Sequence, residues 1–503
     1  MRGELLSLFC AATAPSSGQR VAMLLREQLS DESAVVRCGA LPSFRALNAS
    51  LEARSVAWRR INAAAALPLQ PLLAGEGGAI AGFPAEVELI TLQHAEGGGA
   101  LYLGRVRGGA PTDAAADGTA DGRGRDRVVR TRWNVTQRAE LESLVDDARN
   151  FAATSSKFLR AMHQLEGDNT VSDEEDGAET AVQSIAARMR ALLAPLLAEL
   201  GDFSGAHVVL LPDRVLSALP LEALDAFDGV ASLARDLSLA VALTRVADVA
   251  AAGVGDGATA QSSAFGFIAD PHLEDEVDAD YAEDAEVAGD EELDEAAMRA
   301  AAVSGGQQFI ADVVAEVRQS EGGLGKAWQG VSGTVGADDG AGSAAIVTAN
   351  DVQRMMRSRA QSGLLLHGMG RFQVLLPPHA LAGLDASGCW LVVLACRGVN
   401  DAAALRQSKL DSTMSGEARR LQRSWETAAL LSLSGVNTVV LNQWATSLSG
   451  NHRLVRHLFP QLSGGTPVGK AMHALRNARE GNALKGRIWM NSVVYGISGL
   501  KLT

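Results

Sequence analysis

Residues 389–398, CWLVVLACRG, decide the fold, together with SGLLLHG (362–368) before them and GVNTVVLNQW (435–444) after. Each is a short apolar run rich in Val and Leu that ends in polar residues. Runs of this length predict strands buried on both faces, as in a parallel sheet covered by helices. Two of them end in residues capable of chemistry. Leu364 to Leu366 lead into His367 and Gly368, and Trp390 to Ala395 lead into Cys396. Functional groups of open α/β sheets gather beyond the carboxyl ends of the strands. Neighbouring strands lie about 5 Å apart, so His367 and Cys396 are a candidate imidazole–thiol pair. A Cys beside a His can lose its proton and act as a nucleophile. The plainer readings are a small buried thiol at a strand end and a histidine hydrogen-bonded at a sheet edge.

Upstream, AHVVLLPDRVLSALPLEAL (206–224) reads as a strand from His207 to Leu211, a Pro212-Asp213 turn, a short hydrophobic strand or loop and a helix started at Pro220, with helix continuing to about Ala251. EVELITLQHAEGGGALYLGRV (86–106) reads as a hairpin around Glu96-Gly97-Gly98-Gly99. Helical spacing of apolar residues marks 138–165, 181–200 and 296–318, and also 346–360, where Asn350 or Asp351 is the expected N-cap. SAFGFIAD (263–270) reads as a further strand, 320–344 as a Gly-rich connection, and 450–462 and 467–480 as two closing helices. Four or five short strands alternating with helices predict an α/β fold with a largely parallel sheet. Residues 1–80 read as a helical N-terminal segment, a candidate end of a helical array, and 86–503 as the main domain.

The chain of 503 residues carries a formal charge of -14, but the acidity is concentrated. Residues 273–295 hold thirteen acidic side chains and 166–179 hold seven, with no Lys or Arg in either. Segments near 108–127, 166–179 and 271–295 are therefore expected as disordered inserts. The four cysteines, Cys10, Cys38, Cys389 and Cys396, have neither metal-ligand nor disulfide spacing, which fits a reducing, cytoplasmic setting. No run of 18 uninterrupted apolar residues marks a membrane span, and no basic stripe marks a nucleic-acid partner. GGTPVGKA (464–471) has phosphate-loop spacing, but Ala471 replaces the metal-binding hydroxyl and a helix-like segment precedes it. No metal site or cofactor is expected.

In their order, the hairpin, LLPDRVLSALPLEAL, LLLHG, LVVLAC and ETAALLSLSGVNTVVLNQW (426–444) resemble the CHAT family of caspase-like, separase-related domains. The resemblance covers about 86–480 and implies a caspase-like sheet flanked by helices. It also implies that His367 is the base or orienting group, Cys396 the nucleophile, and Gly368 an oxyanion-binding N–H together with that of Cys396. Two features depart from the pattern. Only 28 residues separate His367 from Cys396, and no acidic residue except Asp213 offers itself for a substrate pocket. A narrower resemblance, carried by HGMGRF (367–372), LRQSKLD (405–411), the 426–444 stretch and GTPVGKAMHALR (465–476), is to large TPR-rich cilia- and flagella-associated proteins of the axonemal central apparatus. It implies a non-enzymatic scaffold of the cytoskeleton and cilium, with central-apparatus proteins as partners and an unused dyad. The alternative implied by the broader family is a cysteine endopeptidase acting on peptide substrates.

Overall fold

Among the described residues, eleven strands form one sheet: β1 (Val87–His94), β2 (Ala100–Arg107), β3 (Arg127–Arg132), β4 (His207–Pro212), β5 (Ser232–Arg235), β7 (Ala264–Ala269), β8 (Trp328–Ser332), β9 (Gln361–Met369), β10 (Leu391–Gly398), β11 (Thr438–Asn442) and β12 (Ser492–Gly496). Their order across the sheet is β3-β2-β1-β4-β5-β12-β11-β10-β9-β7-β8. A separate pair joins β6 (Thr259–Ala260) to β13 (Lys501–Leu502). The computed structural model describes residues 56–57, 59–61, 83, 86–94, 100–107, 127–165, 172–251, 259–260, 264–269, 312, 328–332, 349–358, 361–369, 372–398, 416–446, 448–477, 491–499 and 501–502. The sheet is antiparallel along β1-β2-β3 and between β11 and β12, and parallel elsewhere. This is the largely parallel α/β layer, flanked by helices, that the apolar runs predicted.

Several expectations are corrected. The sheet has more strands than the hairpin and the five apolar runs supply, because β3, β5, β8 and β12 were not anticipated. LSALPLEAL holds short 3-10 turns (Leu216–Ala218, Leu221–Ala223) where a helix from Pro220 was expected. The acidic stretch 166–179 is helical from Ser172 onward, because α2 (Ser172–Glu199) begins there and packs on α1 (Val135–Leu165). Asn350 and Asp351 lie within α4 (Ala349–Arg357), which is followed by α5 (Phe372–Leu375), α6 (Pro378–Ala382) and α7 (Gly416–Leu421). Of the expected insert at 108–127 only Arg127 is described, and it opens β3; the insert at 271–295 and most of 1–80 lie outside the described residues. The helical pieces at 56–57 and 59–61 belong to the main core, with Ala57 and Ile61 buried in its largest apolar cluster. Within α2, Ala181–Glu199 is long and apolar enough to cross a bilayer. Here Val182, Ile185, Met189, Leu193 and Leu197 are buried in a core cluster shared with α1.

The closing helices are observed as α9 (Leu448–Ser463) and α10 (Val468–Asn477), with α3 (Leu239–Ala251) and α8 (Ser424–Leu433) also contributing to the core. Helix α8 stops at Gly435, whose φ of 117° suits glycine. A Cβ there would come within 2.6 Å of the Ser387 backbone nitrogen. The stop lets Val436, fully buried, turn directly into β11. GGTPVGKA spans the end of α9 and the start of α10, so the strand–loop–helix context of a phosphate loop is missing.

Buried ion pairs tie the halves of the sheet together. Arg235 at the end of β5 is fully buried, and its Nε donates to Glu222 at 2.6 Å. Its other nitrogens reach Glu222 again and the carbonyls of Ser217 and Leu219 at 2.8 and 2.7 Å. The LPLEAL motif thus folds back to deliver a carboxylate to its own sheet. Burial works against the charge on Glu222, but Arg235 outweighs it and holds the carboxyl below its usual range. Arg245 on α3 pairs with Asp236 at 3.1 Å and donates to the carbonyls of Val436 (2.8 Å) and Asn437 at the entry to β11. Removing one partner of such a pair leaves an uncompensated buried charge. Arg235→Met is therefore expected to destabilise the chain by about 3–5 kcal/mol in urea unfolding. Arg235→Met combined with Glu222→Leu should recover most of that loss.

Candidate functional site

His367 and Cys396 stand on adjacent parallel strands at the same end of the sheet. The register pairs Ala395, not Cys396, with His367. Register partners in parallel strands share a face, and successive residues alternate. His367 therefore points to the face of Ala395, and Cys396 points to the other. The packing bears this out. Cys396 shares its apolar cluster with Leu366, Leu394 and Leu441 beneath α8. Leu365, Val393 and Ala395 pack instead with Leu454, Leu458 and Phe459 of α9. On that second face, His367 stacks on His452 of α9, with ring centroids 5.0 Å apart. The structure brings the two strands together and keeps the two side chains apart.

The chemistry of each residue follows from its face. His367 is fully buried, and burial, with His452 alongside, pushes its pKa down to about 3. His452 is pushed down to about 4 by burial. An imidazole in that range is a weak proton acceptor at neutral pH, where a general base works best with a pKa near the operating pH. The Cys396 Sγ lies 3.6 Å from the Leu366 carbonyl and is 5% exposed. It borders a cavity of about 20 Å³ lined by Phe372, Gln373, Ser424, Thr427 and Asn442. A space of that size suits about one water molecule. Gly368 lies within β9, which runs on to Met369, opposite the register shift of β10. Cys389 is buried, which pushes its thiol up to about 12.

Asp213, the candidate pocket acid, is already engaged. Its carboxylate accepts from the His94 backbone N–H (2.7 Å) and contacts His94 Nδ1 (2.5 Å). It also accepts from the N–H groups of Val215 and Leu216 at 2.9 and 3.0 Å. Burial opposes its charge, but the bonds from His94 and Leu216 prevail and hold the carboxyl below its usual range. The next residue, Arg214, reaches the buried Glu426 of α8 at 2.7 Å and lies over the Trp425 ring. Among the described residues, no group of three His, Cys, Asp or Glu side chains is placed to hold a metal.

A buried amide network at this rim leaves little trace in the sequence. Asn442, at the end of β11, donates to the Cys396 carbonyl (3.1 Å) and to Asn451 Oδ1 (2.8 Å). Asn451 of α9 donates to the same carbonyl at 3.3 Å, and Ser492 Oγ donates to Asn442 Oδ1 at 2.8 Å. The only sequence signal was the polar Asn closing the apolar run TVVLN. Asn451 lies in a helix, and Ser492 lies in a strand that was not anticipated.

The depressed pKa of His367 makes a stability prediction. Its folded-state value lies below its unfolded value, so its stabilising contribution is complete above the unfolded pKa and is lost as pH falls towards the folded one. Taking the ordinary value of 6.5 against about 3, acidification from pH 7 to 5 should cost about 2 kcal/mol through this residue. Urea unfolding at both pH values measures the loss, and His367→Phe should flatten it.

Comparison with known proteins follows the fold and part of the chain. No protein-family model matches. The chain is 31% identical over 125 residues to cilia- and flagella-associated protein 46 of Chlamydomonas reinhardtii, a match spanning 25% of this chain and 4% of that protein. Among solved structures, it is similar to Saccharomyces cerevisiae separase in its complex with securin. One such structure has a TM-score of 0.48 and 10% identity, covering 99% of this chain and 34% of that one. A second has a TM-score of 0.42, also at 10% identity, covering 86% and 31%. The chain thus spans a small part of each relative's length, and over part of its own length it is similar to a cilia- and flagella-associated protein.

Proposed function

We propose that this chain is a non-enzymatic scaffold of the motile-cilium axoneme, located in the central apparatus and contributing to axoneme assembly and ciliary movement. The observation that carries the reading is the separation of His367 and Cys396 onto opposite faces of the sheet. A cysteine peptidase of this type needs thiol and imidazole within about 4 Å, beside a cleft that admits a peptide. Here the imidazole is a weak base and the space at the thiol has the volume of about one water. The likeness to cilia- and flagella-associated protein 46 supplies the cellular setting. The partners of such a scaffold are other central-apparatus proteins, and its place is the cytoskeleton of the cilium.

Retention by axonemes tests this. The full chain, tagged and expressed in ciliated cells, should stay with axonemes after detergent removes the membranes, and should be lost from axonemes that lack the central apparatus. Quantitative release into the detergent extract would overturn the proposal. Cys396→Ala should leave retention unchanged. A thiol-directed peptide probe applied to the purified chain between pH 6 and 8 should give no labelling that depends on Cys396. Labelling lost in Cys396→Ala would favour the peptidase instead.

A further inference from the structure

The face taken by Cys396 is set by an irregularity in its own strand. Ala395 is the register partner of His367, and the next registered pair is Gly398 with Met369. Between these pairs β10 uses two residues, Cys396 and Arg397, where β9 uses only Gly368. This is a one-residue β-bulge beside His367, a device that re-aims side chains and ends regular pairing. With the extra residue after Ala395, Cys396 continues the normal alternation and faces α8. With the extra residue one step earlier, Cys396 would become the partner of His367 and share its face, since a one-residue slip reverses the side-chain direction.

What holds the bulge in place is visible. The Cys396 carbonyl receives two side-chain amide N–H groups, from Asn442 of β11 and Asn451 of α9. Asn442 and Asn451 are bonded to each other, and Ser492 of β12 supports Asn442 from behind. All three are buried, at 4%, 0% and 2% exposure. Two separate elements therefore converge on a single carbonyl at the bulge, and a third supports one of them. The side chain that would exchange faces with the thiol is Ala395, the smallest after glycine, and the thiol already borders a small cavity.

We propose that the Asn442–Asn451 amide clamp is a register lock that fixes the bulge after Ala395 and holds the Cys396 thiol on the face away from His367. Releasing the clamp lets the bulge move by one residue and brings thiol and imidazole together. The inference goes beyond the scaffold reading, and its test is independent of axonemal retention.

Iodoacetamide labelling of the full chain at pH 7, with modification at residue 396 followed by peptide mass mapping, reads the position of the thiol. The Asn442→Ala/Asn451→Ala double variant should label Cys396 at least ten-fold faster than the unaltered chain. Adding His367→Ala should remove most of that gain, because the imidazole assists thiolate formation only when both groups share a face. No gain in the double variant, or a gain that persists unchanged with His367→Ala, overturns the proposal; the second result would mean a thiol merely exposed. A second measurement serves should the double variant fail to fold. With His367→Cys, oxidation can join positions 367 and 396 only when both side chains lie on one face, at the spacing of neighbouring strands. Adding Ser492→Ala, which removes only the support behind Asn442, should speed that disulfide several-fold. Equal rates, or no disulfide in either background, count against the clamp.

Discussion

Alternation of side chains along paired strands is the constraint on which this structure turns. His367 and Cys396 occupy neighbouring strands at one end of a parallel sheet, so by topology alone they are adjacent. Register then separates them, because the partner of His367 is Ala395. A single residue of offset carries the thiol under α8 and the imidazole under α9, each into its own apolar cluster. Once there, each acquires the properties of its surroundings. Stacking and burial beneath α9 depress the basicity of His367. Packing beneath α8 leaves the thiol with contacts to backbone and apolar side chains and a space of about one water.

The same sheet is held together by buried cations. β5 meets β12 through the single registered pair Arg235 and Tyr495, and two of the strongest polar anchors lie close to this seam. Arg235 binds Glu222 and two carbonyls of the preceding turns, while Arg245 binds Asp236 and carbonyls at the start of β11. Arg476 of α10 donates to the Ser492 carbonyl at 3.1 Å from the other helical layer. Such pairs add little net stability compared with apolar packing, but they penalise any arrangement that separates them. A short seam between strands distant in sequence gains specificity from that penalty, since Arg245 must meet the entry to β11 and Arg476 the Ser492 carbonyl of β12.

How much of this was legible varies by element. The strands carrying His367 and Cys396, and β11 after them, were readable because a strand buried on both faces is a continuous apolar run. So were the hairpin of β1 and β2, with its Gly-rich turn, and the closing helix pair. β5 was not readable: SLAR is four residues, ends in a charge and follows turns rich in Leu and Ala that imitate a helix. β12 was missed because SVVYG is short and finds its partners, β5 and β11, through sequence separations that no local pattern encodes. The site was half legible. Composition and strand ends picked out His367 and Cys396, but face depends on register, and register depends on a bulge whose cause is a set of amides on other elements.

That dependence bears on how a fold of this kind can serve two different ends. In a rim where polar side chains converge on strand ends, small shifts of register decide whether two groups react or merely pack. Here, the groups that fix the register are neutral amides and a hydroxyl, fully buried and mutually satisfied. Buried polar networks that are satisfied in this way specify one arrangement over its near neighbours. The Arg214–Glu426 bridge from β4's exit to α8 adds a tie across the same end of the sheet. A carbonyl held by two amides, and two side chains packed on opposite faces, fix the register at this edge of the sheet, so chemistry between His367 and Cys396 would first require the strand itself to shift.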